Sequence, residues 1–95
     1  MDEILVLQAE ILKTLSSPRR LEILHRLSEG ACEVSRLAEE LGVSQPNISQ
    51  HLAILRDKGI LISRKDANRV YYRVGDGRTL RLIGMMREVF CSHGL

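Results

Sequence analysis

Ninety-five residues, 44% hydrophobic and 27% charged, make one globular domain with no room for a second, and the balance is not that of a disordered chain. One Phe, two Tyr and no Trp leave an aliphatic core and exclude a stacking platform for single-stranded nucleic acid. The net charge of +2 conceals an asymmetry: residues 1–48 hold five Lys and Arg against eight Asp and Glu, and residues 49–95 hold nine against four. The excess gathers between Arg56 and Arg73, where Arg56, Lys58, Arg64, Lys65, Arg69 and Arg73 face two aspartates. A local cationic stripe of this kind suits a polyanion better than net charge alone does. No apolar run approaches the roughly 18 residues of a membrane span, and the opening MDEILVLQAE is acidic where a signal peptide is basic. Two cysteines, Cys32 and Cys91, suit a reducing compartment. A cytoplasmic protein with no membrane partner is expected.

In chain order, the first helix is predicted over 2–15, where Ile4, Leu7, Ile11 and Leu15 repeat at helical spacing and Leu5 and Leu12 add a second stripe. A helix apolar on two sides has two surfaces to cover, and a second subunit is one candidate. Ser17 and Pro18 then read as the N-cap and first residue of a second helix over 18–28, with Leu21, Leu24 and Leu27 inward and Gly30 as the stop. A third helix over 33–41 buries Val34, Leu37 and Leu41 before Gly42. Ser44 caps a fourth, Pro46 falls in its first turn, and Gly59 ends it. There Ile48, Leu52 and Leu55 mark the buried side, leaving Gln45, Asn47, Ser49, Gln50 and Arg56 polar. The period then changes from helical to alternating: strands over 60–64 and 70–74 flank a loop over 65–69, with Val70, Tyr72 and Val74 on one face. A final helix runs over 78–91, its faces marked by Leu80, Ile83, Met86 and Phe90.

The expected fold is therefore mainly α with a small β-hairpin, in the order α-α-α-α-β-β-α: a winged helix-turn-helix spanning residues 1–95 as one domain. Two short helices joined through Gly42, the second capped by Ser44, form the helix-turn-helix. Its polar first turns can enter a major groove. Packing alone does not call for cations on the hairpin that follows.

The block LAEELGVSQPNISQHLAILRDKGILISRKDANRVYYRV, with LKTLSSPRRLEILHRLSEG upstream, resembles the ArsR/SmtB family of winged-helix repressors. The resemblance covers roughly residues 11 to 91. It implies a homodimer held by the first and last helices, double-stranded operator DNA as partner, and repression relieved by an inducer. Carried over to this sequence, Gln45, Asn47, Ser49 and Gln50 fall where the family meets the major groove, and amide side chains there suit adenine N6 and N7. Arg64, Lys65, Asn68 and Arg69 fall on the wing. With Ser44 and Arg56 these make the expected DNA-binding set. His51 matches a family histidine whose expected work is internal hydrogen bonding.

The sensing end departs from the family's metal types. Only Cys32 stands where the arsenic and cadmium sensors carry a cysteine pair, and the last helix lacks the zinc and cobalt motif. Val89-Phe90-Cys91 is similar to the sulfide- and persulfide-responsive branch, but His25 stands where that branch has its partner cysteine. His25 with Cys91, joined by His93 if the helix end frays, would hold a soft metal ion or promote persulfide modification. The same residues also read as a satisfied imidazole and a small core side chain, and Cys32 as a buried apolar residue. Two other classes of function remain in view. One is a winged helix used only for protein contacts, against which the basic wing speaks. The other is a small thiol redox protein, which would lack an orienting third group and a pocket.

Overall fold

Local signals decide where the helices begin and end in the computed structural model, which describes residues 2–90. Among these the order is α1 (Glu3–Leu15), α2 (Pro18–Leu27), β1 (Cys32–Glu33), α3 (Val34–Leu41), α4 (Gln45–Asp57), β2 (Leu61–Asp66), β3 (Arg69–Val74) and α5 (Gly77–Phe90). Ser17 accepts from the backbone N–H of Arg20 at 3.3 Å, and Ser44 from that of Asn47 at 3.3 Å. Each hydroxyl satisfies a donor that the first helical turn leaves open. Asp76 plays the same part for α5, accepting from the Arg78 backbone at 2.7 Å and from its guanidinium. Those two bonds hold the Asp76 carboxyl at about 2. Gly42 ends α3 in the left-handed conformation at φ 67°, where the Val43 N–H bonds Ala38 O at 3.0 Å and turns the chain into α4.

The structure adds to the expected order at one place. Cys32 and Glu33, expected beside and inside the third helix, form β1 and pair antiparallel with Tyr72 and Tyr71. The sheet is thus three-stranded, β1-β3-β2, and two residues are too few to show a period in sequence. The hairpin is also longer than expected. Pairing of β2 and β3 runs out to Asp66 opposite Arg69, so the turn shrinks from 65–69 to Ala67 and Asn68. Ala67 takes φ 56°, a conformation that two-residue hairpins require and that glycine usually supplies.

The core is aliphatic, as expected. Ile23, Leu24, Leu27, Leu37, Ile48, Leu52, Leu55 and Ile83 are its fully buried large side chains, each stabilising by about 1.5–3 kcal/mol relative to exposure. They come from four helices, while Leu61, Tyr72 and Val74 close the sheet side. The first and last helices are different. On α1 only Thr14 and Leu15 are buried, and Ile4, Leu5, Leu7 and Leu12 are each more than half exposed, as are Met85, Val89 and Phe90 on α5. Of the apolar residues that mark these two helices in sequence, Ile83 is in the core, and Ile11 and Met86 pack against it. No helix among the described residues is long and apolar enough to cross a membrane.

Two substitutions test the backbone reading in opposite directions. Nothing lies within 4 Å of a Cβ added at Gly42, so Gly42→Ala should cost about 1 kcal/mol by left-handed strain alone. Ala67→Gly relieves the same strain and should gain roughly 0.5 kcal/mol, the remainder being lost to unfolded-chain entropy. Urea midpoints that moved in the same direction for both would contradict it.

Candidate nucleic-acid interface

The polar surface of α4 follows from where its apolar stripe must go. With Ile48, Leu52 and Leu55 buried, the helical period sets Gln50 opposite the stripe, with Asn47 and Ser49 to either side. Gln45 and Arg56 fall on the flank nearer the sheet, and His51 on the other. Ser44, Gln45, Asn47, Ser49, Gln50 and Arg56 are all exposed. The N-terminal turn of α4 adds the positive end of the helix dipole and its open N–H groups, which favour an approaching phosphate.

The structure brings four of the sequence-predicted residues together. Gln45 and Ser49 of α4 face Asn68 and Arg69 of the wing across a cleft of ≈ 250 Å³, completed by Glu33, Val34, Ser35, Val70 and Tyr72. The others are spread more widely. Arg56 is one residue from the C-terminal end of α4, about 16 Å of helix rise from Gln45, and contacts Asp57 at 3.4 Å. Strand alternation divides the wing cations: Arg64 lies opposite Tyr71 on one face, and Lys65 opposite Val70 on the other. The Arg64 guanidinium sits 5.3 Å from the Tyr71 ring centroid, within cation–π range. Arg69, 65% exposed, has an Nη1 4.0 Å from Glu33 Oε2. The Tyr71 hydroxyl, followed by the Glu33 carboxylate, raises its already high pKa. Glu33 and Ser35 were not among the residues read from sequence as part of this surface. The pairing of β1 with β3 puts Glu33 there, and no sequence period announces it.

His51 has the internal partner expected of it. Its Nδ1 is 3.4 Å from Arg20 Nη1, and a guanidinium only donates, so the neutral ring carries its proton on Nε2. Arg20 also donates from Nε to Thr14 O at 2.6 Å, linking the end of α1, the start of α2 and the recognition helix. His25 is partly buried at the end of α2, with its Nδ1 shielded from solvent and unpartnered among the described residues. Arg87 Nη2 donates to its carbonyl at 3.4 Å. Cys91 and His93 lie outside the described residues. Among those described, no three His, Cys, Asp or Glu side chains gather as a metal site. Cys32 is buried and free, and burial pushes its thiol up, which is the behaviour of a core residue rather than a reactive one.

Residues 17–63 match the family of bacterial regulatory proteins described as the arsR family. A biofilm growth-associated repressor of Xylella fastidiosa is 36% identical over 84 residues, 88% of this chain and 74% of the relative. The chain belongs to the ArsR family. Its fold is that of solved members. HlyU from Vibrio cholerae superposes with a TM-score of 0.90 at 32% identity, covering 97% of this chain and all of that one. A homodimeric winged helix-turn-helix DNA-binding domain from Mycobacterium bovis gives 0.87 at 29% identity, covering 97% and 85%. In this family member α3 and α4 are the helix-turn-helix, and β2 and β3 are the wing.

The histidines set a pH dependence. Burial, then the charge of Arg87, lowers the pKa of His25 below 6.5; burial, then Arg20 and Arg19, lowers that of His51. The unfolded chain therefore takes up protons first as pH drops through about 6.5, and stability falls from there toward the folded-state values. Urea midpoints between pH 7.5 and 5.5 should show this decline, and His51→Gln should make it shallower. An unchanged slope in that variant would show that the ring is not held neutral.

Proposed function

We propose that the protein is a homodimeric, sequence-specific repressor that holds operator DNA with α4 and the wing, and that a thiol-reactive or metal inducer releases it. The observation that carries the reading is the cleft where Gln45 and Ser49 meet Asn68 and Arg69. Amides and a hydroxyl at a helix N-terminus are set beside a hairpin bearing Arg64, Lys65 and Arg69, which suits a groove and its phosphates together. Gln50 and Asn47 would read base edges, with Ser44 and Ser49 beside them; the wing cations and Arg56 would meet the backbone. The exposed apolar faces of α1 and α5 support dimerisation through those helices, since one chain leaves them uncovered. The solved Mycobacterium bovis relative is homodimeric, and the Xylella relative is a repressor by name. A regulator rather than an enzyme accords with both, and a cytoplasmic location follows from work on DNA.

Binding titrations separate the two kinds of contact. Arg64→Ala and Lys65→Ala should weaken cognate and random duplex alike and lower the log–log salt slope by about one per protomer for each lost phosphate contact. Gln50→Ala or Asn47→Ala should cost about 1–3 kcal/mol on the cognate site and less on random DNA. Equal losses on both duplexes from the helix variants would remove the base-reading role.

For release, His25 and Cys91 are the proposed sensing pair, which His93 joins where the helix end frays. The Nδ1 of His25 supports this, because a partly buried neutral imidazole whose Nδ1 has no hydrogen-bond partner among the described residues is a ready ligand. Cys91→Ser should keep operator affinity and abolish release by polysulfide, Zn(II), Cu(I) or arsenite, whichever acts on the wild type, while Cys32→Ser keeps the response. A responsive Cys91→Ser protein would move the signal elsewhere.

A further inference from the structure

The two halves of the wing cleft carry opposite charge, and the negative half is a single residue. Glu33 lies opposite Tyr71 in the sheet, and Arg69, two residues before Tyr71, is its diagonal neighbour on the same face. One carboxylate oxygen accepts from the Ser35 hydroxyl at 2.9 Å; the other is 4.0 Å from the Arg69 guanidinium. The carboxylate is thus fixed by β1 and Ser35, with its side chain 25% exposed, whereas the Arg69 side chain is 65% exposed.

We propose that Glu33 determines specificity through Arg69, its carboxylate competing with DNA phosphate for the wing guanidinium and so disfavouring duplexes that α4 does not fit. The inference rests on the DNA-binding reading given above. A solvent-exposed ion pair at this distance is weak and salt-screened, so a phosphate brought into place by a correctly seated recognition helix displaces the carboxylate. On a random duplex the helix does not fix the register, and exchange gains little because Glu33 is left unpaired beside a polyanion. A repulsive element against the wrong partner is a general route to discrimination. Glu33 acts through Arg69, so it is a positioning residue.

The test compares wild type, Glu33→Gln, Glu33→Asp, Arg69→Ala and the double variant Glu33→Gln with Arg69→Ala. Binding is followed by fluorescence anisotropy on a random-sequence duplex and on the duplex that wild type enriches from a random pool, between about 50 and 200 mM salt. Glu33→Gln should bind the random duplex about threefold tighter per protomer, with a salt slope steeper by about one, and change less on the enriched duplex. Glu33→Asp keeps the charge and shortens the reach, and should follow Glu33→Gln. In the Arg69→Ala background the gain should vanish. β1 pairs through its backbone, so matching thermal midpoints should confirm that each variant is folded. A gain that survives Arg69→Ala would make Glu33 a general repulsive charge and overturn the proposal, as would no gain at all with wild type binding normally. Failure of wild type to bind any duplex is a different result: it would overturn the DNA-binding reading and the role of Glu33 with it.

Discussion

Burial of one stripe on α4 governs much of what surrounds it. Ile48, Leu52 and Leu55 have no exposed surface, and the stripe is covered by α2, α3 and β2. Losing any one of these side chains to Ala in such a site costs about 2–5 kcal/mol, so the rotation of α4 about its axis is strongly fixed. The rotation in turn decides which polar residues face outward. Gln50 points away from the core because Ile48, Leu52 and Leu55 cannot. Structure and proposed reading surface are therefore two sides of one constraint.

The neighbours of α4 extend that constraint to the rest of the chain. Gly42 and Ser44 set the angle at which α4 leaves α3, one by a left-handed backbone and the other by a cap. Arg20 reaches His51 on the flank away from the sheet and Thr14 at the end of α1. A shift of α1 would be felt at the recognition helix through that guanidinium, as well as through packing. On the other flank, β1 anchors the wing by pairing with β3, which keeps Arg69 within reach of Glu33. The hairpin beyond Leu61 is otherwise exposed along β2, so its position depends on this pairing and on Val70, Tyr72 and Val74 packing beneath it.

The helices and their faces were legible because their signals are local. Ser17-Pro18 and Ser44 with Pro46 mark starts, Gly42 and Gly59 mark stops, and apolar spacing marks the inner faces. The polar face of α4 was legible for the same reason, since Gln45, Asn47, Ser49 and Gln50 are what remains once the stripe is assigned. Where several apolar positions competed, sequence alone chose less well. Ile11, Ile83 and Met86 turn toward the chain's own core while Ile4, Leu5 and Phe90 do not, because α1 and α5 carry more apolar side chains than one face can hold. Which of them go inward depends on where each helix rests, and that is a tertiary matter.

By itself, the sequence determined four helices, two of them capped by Ser17 and Ser44, a change of period into a basic hairpin and a closing helix, since caps, glycines and hydrophobic spacing act within a few residues. Tertiary structure decided the rest. Residues 32–33 became a strand only because β3 was there to pair with. The hairpin turn tightened to Ala67 and Asn68 because pairing continued to Asp66 and Arg69. Pairing across 38 residues of chain brought Glu33 beside Tyr71 and Arg69. No local signal encodes such a meeting, because a two-residue strand has neither period nor cap; its register exists only once the sheet has formed.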